Sequence, residues 1–276
     1  MIMKKDMIVG GFSGYNWDKI KYWVNSINKC GFDGTKVMIA VDVQPDLVKK
    51  LVENDFVVIS TNMIPNIPIH VQRFFHIWNF LRSISAEEQP RYVITTDVKD
   101  VVFQKNPSLW LEQNIEDKKL IAASESMKYK DEAWGNDNLM QAFGPWFHQL
   151  YKDNEIFNVG TIAGTHEIVR DLCLMIFQMS INRPIPIVDQ AVYNFLLWNE
   201  PYRSATKFVR SEDSWAAQLG TTADPSKINQ FRPYLVEDTP IMKDQKVLTS
   251  KEKEFTIVHQ YDRVPEWKLV IENKYS

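Results

Sequence analysis

Tyr92 to Gln104 reads YVITTDVKDVVFQ. A short run of β-branched and aromatic residues, Tyr92 to Thr95, stops at two aspartates three positions apart, Asp97 and Asp100. Apolar residues then resume at Val101, Val102 and Phe103. Such a pattern marks a buried strand and the turn that leaves it. Towards the N-terminus the same signals recur. Met7 to Gly10 has strand character and runs into Gly10-Gly11 and a Ser-Gly turn. Asn16 is placed as a helix N-cap, and Ile20, Trp23, Val24 and Ile27 follow at helical spacing up to Gly31. Val37 to Val41 is a continuous apolar run, as expected of a strand covered on both faces. Pro45 to Glu53 reads as a short helix and Phe56 to Ser60 as another buried strand. The Pro-rich MIPNIPI then leads into a helix with Val71, Phe74, Trp78 and Leu81 on one face. Strand and helix in alternation predict an α/β fold, a mostly parallel, Rossmann-like central sheet flanked by helices. Sheets of that kind bind ligands beyond the carboxyl ends of their strands. Asp97 and Asp100 fall there.

The second half is less regular. Leu120 to Ala123 and Phe157 to Ala163 read as strands, and Lys128 to Asn154 as a mobile polar and aromatic loop with a helical piece around Asn138 to Leu150. One helix carries Val169, Leu172, Cys173 and Ile176, and a second opens at Asp189-Gln190 and carries Ala191, Val192 and Phe195. Tyr202 to Ser250 is weakly patterned, and Phe255 to Val258 reads as a last strand. No repeat or linker divides the chain. The expectation is one domain over 1–276, with a nucleotide-binding half at 1–105 and an acceptor-binding half at 106–276.

Hydrophobic residues form 45% of the 276, enough for a full core at this length. A net charge of -3 without a basic stripe argues against nucleic acid as a partner. Cys30 and Cys173 lie far apart, without disulfide or zinc spacing, and read as small buried hydrophobes. There is no apolar run long enough to span a membrane and no secretory h-region, so a cytoplasmic location is expected.

Two carboxylates in one turn suit a hard divalent cation, which takes one or two protein carboxylates together with substrate phosphates. His259, after the run FTIV, completes such a shell if the fold returns it to the aspartates. Further motifs follow in order: Phe157-Asn158-Val159-Gly160, then Asp189-Gln190 in VDQAVYNFLL, then HQYDRVPEW from His259 to Trp267. With VITTDVKDVVF, this succession resembles the GT-A glycosyltransferases, particularly those like family 8, the glycogenin and bacterial galactosyltransferase type. In that family a strand ends in DxD, a later strand reads FNsG, a DQ pair opens a helix, and HFxGxxKPW closes the domain. Here the acidic motif is D-x-x-D. In the last motif the family's Gly falls on Asp262 and its Lys, which meets the diphosphate, on Pro265.

The resemblance implies a GT-A fold and transfer of a sugar from a nucleotide diphosphate, UDP above all, to a glycan or other hydroxyl acceptor. Glucose, galactose and xylose are the donor sugars considered. Asp97, Asp100 and His259 would hold Mn²⁺ or Mg²⁺. Gly10, Gly11, Phe12 and Ser13 would receive the nucleoside, glycine allowing close backbone approach, and Asp42 the base or ribose. Arg73 would reach the phosphates or donor sugar, and Asn158 and Gly160 would border that sugar. Arg263 or Lys268 would stand in for the missing Lys. Asp189 would lie beside the reacting carbon, as general base in an inverting enzyme. In a retaining one Asp189 or Gln190 would sit beneath the anomeric carbon. Asp189 also suits a plain helix N-cap, and Glu125 is a second base. Trp134, Trp146 and Trp215 would form an acceptor surface. Two further readings stay open: a sugar nucleotidyltransferase, although GGFSGYNW has no Lys or Arg before Lys19, and a non-catalytic nucleotide- or sugar-binding module.

Overall fold

The computed structural model describes residues 5–276, so the first four residues of the expected nucleotide-binding half lie outside it. Seven elements alternate as the sequence predicts: β1 (Met7–Ser13), α1 (Trp17–Lys29), β2 (Thr35–Val41), α2 (Pro45–Glu53), β3 (Val57–Thr61), α3 (Ile69–Leu81) and β4 (Tyr92–Thr96). The strands lie side by side as β3-β2-β1-β4, all parallel. The two-residue period of β1 divides the core between the faces of the sheet. Met7 and Val9 join Val71, Phe74 and Ile77 of α3, whereas Ile8 and Phe12 join Ile20, Trp23 and Val24 of α1. Each large apolar side chain so withdrawn from water contributes about 1.5–3 kcal/mol before entropy is counted.

After β4 the chain leaves the sheet as β5 (Val101–Phe103) and α4 (Pro107–Asn114), and returns as β6 (Leu120–Lys128). Then come α5 (Ala133–Tyr151), β7 (Glu155–Phe157), β8 (Thr161–Thr165), α6 (His166–Ser180), α7 (Asp189–Leu197), α8 (Tyr202–Ala205) and β9 (Thr206–Val209). β8 inserts antiparallel between β4 and β6, while β7 and β9 also pair with β6. The last stretch holds β10 (Ala216–Gln218), α9 (Leu219–Thr222), α10 (Ile228–Phe231), β11 (Ile241–Lys243), β12 (Lys246–Leu248), β13 (Ile257–His259) and α11 (Pro265–Lys274). In a second small sheet β13 pairs parallel with β10 and antiparallel with β5, and β11 with β12 forms a hairpin. The fold is α/β, with a mostly parallel central sheet between helices.

Several elements differ from the sequence expectation. Phe56 to Ser60 becomes β3 at the sheet edge, where Val57 is 48% exposed, because an apolar run signals extended chain and not its place in the sheet. The single strand expected over Phe157 to Ala163 breaks at Asn158–Gly160, where the Asn158 side chain accepts the Gly160 N–H at 2.7 Å. The expected mobile loop after Lys128 is helical. Glu132 caps α5 by accepting the N–H groups of Trp134 and Gly135, and the helix breaks at Gly144 (φ 80°), where Pro145 restarts it. That break masks the helical period. Trp215 belongs to no acceptor surface: it is fully buried, its ring 4.8 Å from that of Trp110. Cys173 is in the core, Cys30 is half-buried, and both are free.

Gly10 is demanded by packing. A Cβ there would lie 2.7 Å from Val98 Cγ2 and 3.0 Å from the Trp23 ring, whose Nε1 donates to Thr96. Gly10→Ala should therefore lower the denaturant midpoint by the equivalent of about 1–3 kcal/mol, the usual effect of an overpacked core. An unchanged midpoint in urea titrations would show that Trp23 yields without cost.

Candidate active site

Backbone pairing assembles the acidic turn and His259. β5 runs antiparallel to β13 with His259 opposite Val101, and the Gln260 N–H donates to the Asp100 carbonyl at 2.7 Å. His259 is thereby carried to the end of β4, and one ligand atom from each of Asp97, Asp100 and His259 lies within 4.8 Å of the others. His259 Nε2 is 3.5 Å from Asp97 Oδ2 and 3.8 Å from Asp100 Oδ1. Its Nδ1 bonds at 2.7 Å to Gln218 Oε1, from the neighbouring position on β10, and Gln218 Nε2 donates to Thr161. Since the Gln218 oxygen only accepts, Nδ1 carries the hydrogen, and Nε2 turns towards the carboxylates.

That arrangement needs a positive charge. Burial disfavours protonation of His259, yet Asp100 and Asp97 outweigh it and raise its pKa. Burial raises Asp100 as well, against His259. Burial would also raise Asp97, but the Arg73 guanidinium and His259 hold it well below the usual carboxylate range. A divalent cation at the same point would replace the proton. The donors, two carboxylates and a neutral imidazole, are those a hard or borderline divalent ion takes. Gly160 leaves the room: a Cβ there would come within 2.8 Å of Asp97 Oδ2 and of His259 Cε1.

Arg73 projects from α3 and binds two elements of the site. Nη1 donates to Asp97 Oδ1, and Nη2 lies 3.4 Å from Asp189 Oδ2. Asp189 does not cap its helix. Val188 takes the N-cap position, while the buried Asp189 carboxylate turns to Arg73, its pKa raised by burial and by Asp97 against Arg73. Gln190 lies beside it and hydrogen-bonds to Glu125, which also accepts from Asn158 Nδ2 at 2.5 Å. Glu125 is buried, and that pushes its carboxyl up to about 7, with Glu132 adding to the rise and Asn158 opposing it.

Most of these groups share one cavity of about 450 Å³, lined by Arg73, Asp97, Glu125, Asn158, Asp189 and His259 among others, with Trp134 and Arg263 at its wall. It adjoins a smaller cavity of about 220 Å³ lined by Gly11, Phe12, Ser13, Tyr15, Lys99 and Asp100, with His70, Arg73, Asp97 and Arg263 common to both. Three expected residues stand apart. Gly10 serves the packing described above. Asp42 is exposed, accepts the Met63 N–H at 3.3 Å and lines a separate depression with Trp17 and Lys50, joined to the smaller cavity through Tyr15. Lys268 pairs loosely with Glu272 on α11 and lines neither cavity.

The chain superposes on the crystal structure of the galactosyltransferase LgtC, solved with donor and acceptor sugar analogues. The TM-score is 0.54 at 12% sequence identity, over 92% of this chain and 86% of that one. The fold is GT-A-like. No protein-family model matches the chain, and no curated protein matches it in sequence. Among the residues that escaped the reading of the sequence are three that line these cavities and one, Gln218, that holds His259. Gln218 lies in the weakly patterned stretch, where nothing signals a partner for His259. Tyr15 lies just beyond the Ser-Gly turn, and Lys99 inside the D-x-x-D itself. Lys227 precedes the short helix α10 and lines the larger cavity.

The proton affinity of Glu125 is higher in the folded chain than in the unfolded one. Its contribution to stability is therefore full below about pH 4.5 and is lost as the pH rises through about 7. Glu125→Gln should remove that loss. Between pH 4 and pH 8, unfolding free energies of the wild type should fall further than those of the variant, by the order of 2 kcal/mol. Parallel pH profiles would mean that water reaches the carboxylate.

Proposed function

We propose that the chain is a metal-dependent glycosyltransferase. It moves a hexosyl or pentosyl unit, from UDP-glucose, UDP-galactose or UDP-xylose, onto a hydroxyl of a glycan acceptor. The observation that carries the proposal is the Asp97–Asp100–His259 cluster in a GT-A-like fold, joined through Arg73 to the Asp189 carboxylate. The whole chain is read as one transferase domain, with residues 1–105 on the nucleotide side and 106–276 on the acceptor side.

Asp97, Asp100 and His259 would hold Mn²⁺ or Mg²⁺, which when bound neutralises charge developing on the diphosphate leaving group. Gly11, Phe12 and Ser13, with Tyr15, offer the smaller cavity to the nucleotide. Arg73 keeps Asp97 ionised and holds Asp189 in place, so one guanidinium orients both ends of the reacting bond. Asn158 and Gly160 border the donor sugar, with Asp189 and Gln190 beneath it. Glu125, poised near neutrality, faces the same space and suits proton uptake from an acceptor hydroxyl. Trp134, half exposed over the larger cavity, offers an apolar face to an acceptor sugar ring. Among the described residues no helix is long and apolar enough to cross a membrane.

The direct test is release of nucleoside diphosphate from a panel of UDP-, GDP- and dTDP-sugars with Mn²⁺, Mg²⁺ or EDTA. One donor should be consumed, and EDTA should stop the reaction. Asp100→Ala should abolish the metal-dependent rate, and Asp189→Asn should lower it by about 10²–10⁴-fold. Undiminished Mn²⁺-dependent turnover in Asp100→Ala would remove the metal assignment.

A further inference from the structure

Asp262 stands between two cations. Its Oδ2 is 3.3 Å from Lys99 Nζ, and its Oδ1, buried without a hydrogen-bond partner, is 3.7 Å from Arg263 Nε. Lys99 belongs to the acidic turn, whereas Asp262 and Arg263 lie on the 3₁₀ turn Tyr261–Arg263 directly after β13. The Tyr261 hydroxyl donates to the Lys99 carbonyl at 3.4 Å and ties the two turns together. Lys99 and Arg263 both line the smaller cavity, beside Asp97 and Asp100. The remaining guanidinium of that wall, Arg73, is committed to Asp97 and Asp189.

An exposed ion pair adds little to stability, and Lys99 is 42% exposed, so fold stability does not account for the arrangement. Its position does. A departing diphosphate carries more negative charge than one divalent ion offsets, and fixed N–H donors at its oxygens supply the rest. A lysine on a flexible stem loses much rotamer freedom when it binds an anion. A carboxylate that already holds the ammonium lowers that loss. One carboxylate oxygen occupies one ammonium hydrogen and leaves two for a ligand.

We propose that Lys99 and Arg263 form a clamp for the diphosphate of the donor, with Asp262 as the positioning residue that gathers both onto the cavity wall. The proposal rests on the transferase reading above. It also gives Asp262, where the family motif has Gly, a part in the site.

The test is calorimetric titration of the full chain with Mn²⁺ and UDP, GDP or dTDP, then with the monophosphate of whichever nucleotide binds. Lys99→Ala and Arg263→Ala should each weaken the diphosphate by about tenfold and the monophosphate far less, since the lost donors face the second phosphate. Lys99→Arg should retain most of the affinity. Asp262→Asn should weaken the diphosphate in the wild type and add nothing once Lys99 and Arg263 are both alanine, as expected of a residue acting through them. Equal losses for diphosphate and monophosphate, or none, would overturn the clamp and leave the transferase reading standing. Wild-type protein that binds no nucleotide with Mn²⁺ would overturn both.

Discussion

The antiparallel pairing of β5 with β13 is the constraint on which the candidate site depends. It sets His259 opposite Val101, one residue past Asp100, in spite of 157 intervening positions (102–258). Register in a ladder is not adjustable by small steps, because a slip of one residue turns every side chain to the other face. A slipped β13 would bury Val258 where His259 now stands and leave the aspartates without an imidazole. The same ladder positions Gln218 on β10, so one small sheet supplies both the histidine and the group that fixes its tautomer.

Around that ladder the charges form a single connected set. Arg73 joins Asp97 to Asp189, His259 faces Asp97 and Asp100, and Glu125 is tied to Asn158 and Gln190. Buried carboxylates are costly unless paired or hydrogen-bonded. Here burial raises Asp100, Asp189 and Glu125 and leaves Asp97 low, because only Asp97 has both Arg73 and His259 against it. Neighbouring carboxylates with proton affinities forced apart can take different parts in one reaction. Structural charge networks perturb carboxylates too. What distinguishes this one is that its members line two adjoining cavities at the carboxyl ends of β1 and β4.

The turn at Asn158–Gly160 shows how a local irregularity serves this set. β7 and β8 both run antiparallel to β6, and the turn interrupts what would otherwise be one strand. Asn158 remains attached to the strand through its N–H to Ala123, while its side chain spans Gly160 and Glu125. The Gly160 carbonyl accepts from Asp97. A continuous strand would direct alternate side chains away from the cavity, and any residue larger than glycine at 160 would meet Asp97 and His259.

Much of the fold was legible before the structure, for a physical reason. The elements from Met7 to Thr96 are built on local signals: apolar runs, helical spacing and turn residues, each expressed within a dozen positions. Asp97 and Asp100 could be placed at a strand's end for the same reason, and ordered motifs linked them to Asn158, Asp189, Gln190 and His259. The sequence by itself thus determined the α/β layering and most of the candidate residues. Only the tertiary structure decided which of them meet. It removed Gly10 to the core, left Asp42 in a neighbouring depression and buried Trp215 against Trp110. It also brought in Gln218, Tyr15, Lys99 and Lys227, which no local pattern marks. Contacts such as Gln218 to His259 and Lys99 to Asp262 join residues far apart in the chain, and they arise from strand register and turn geometry. A period read along the sequence carries no information about either.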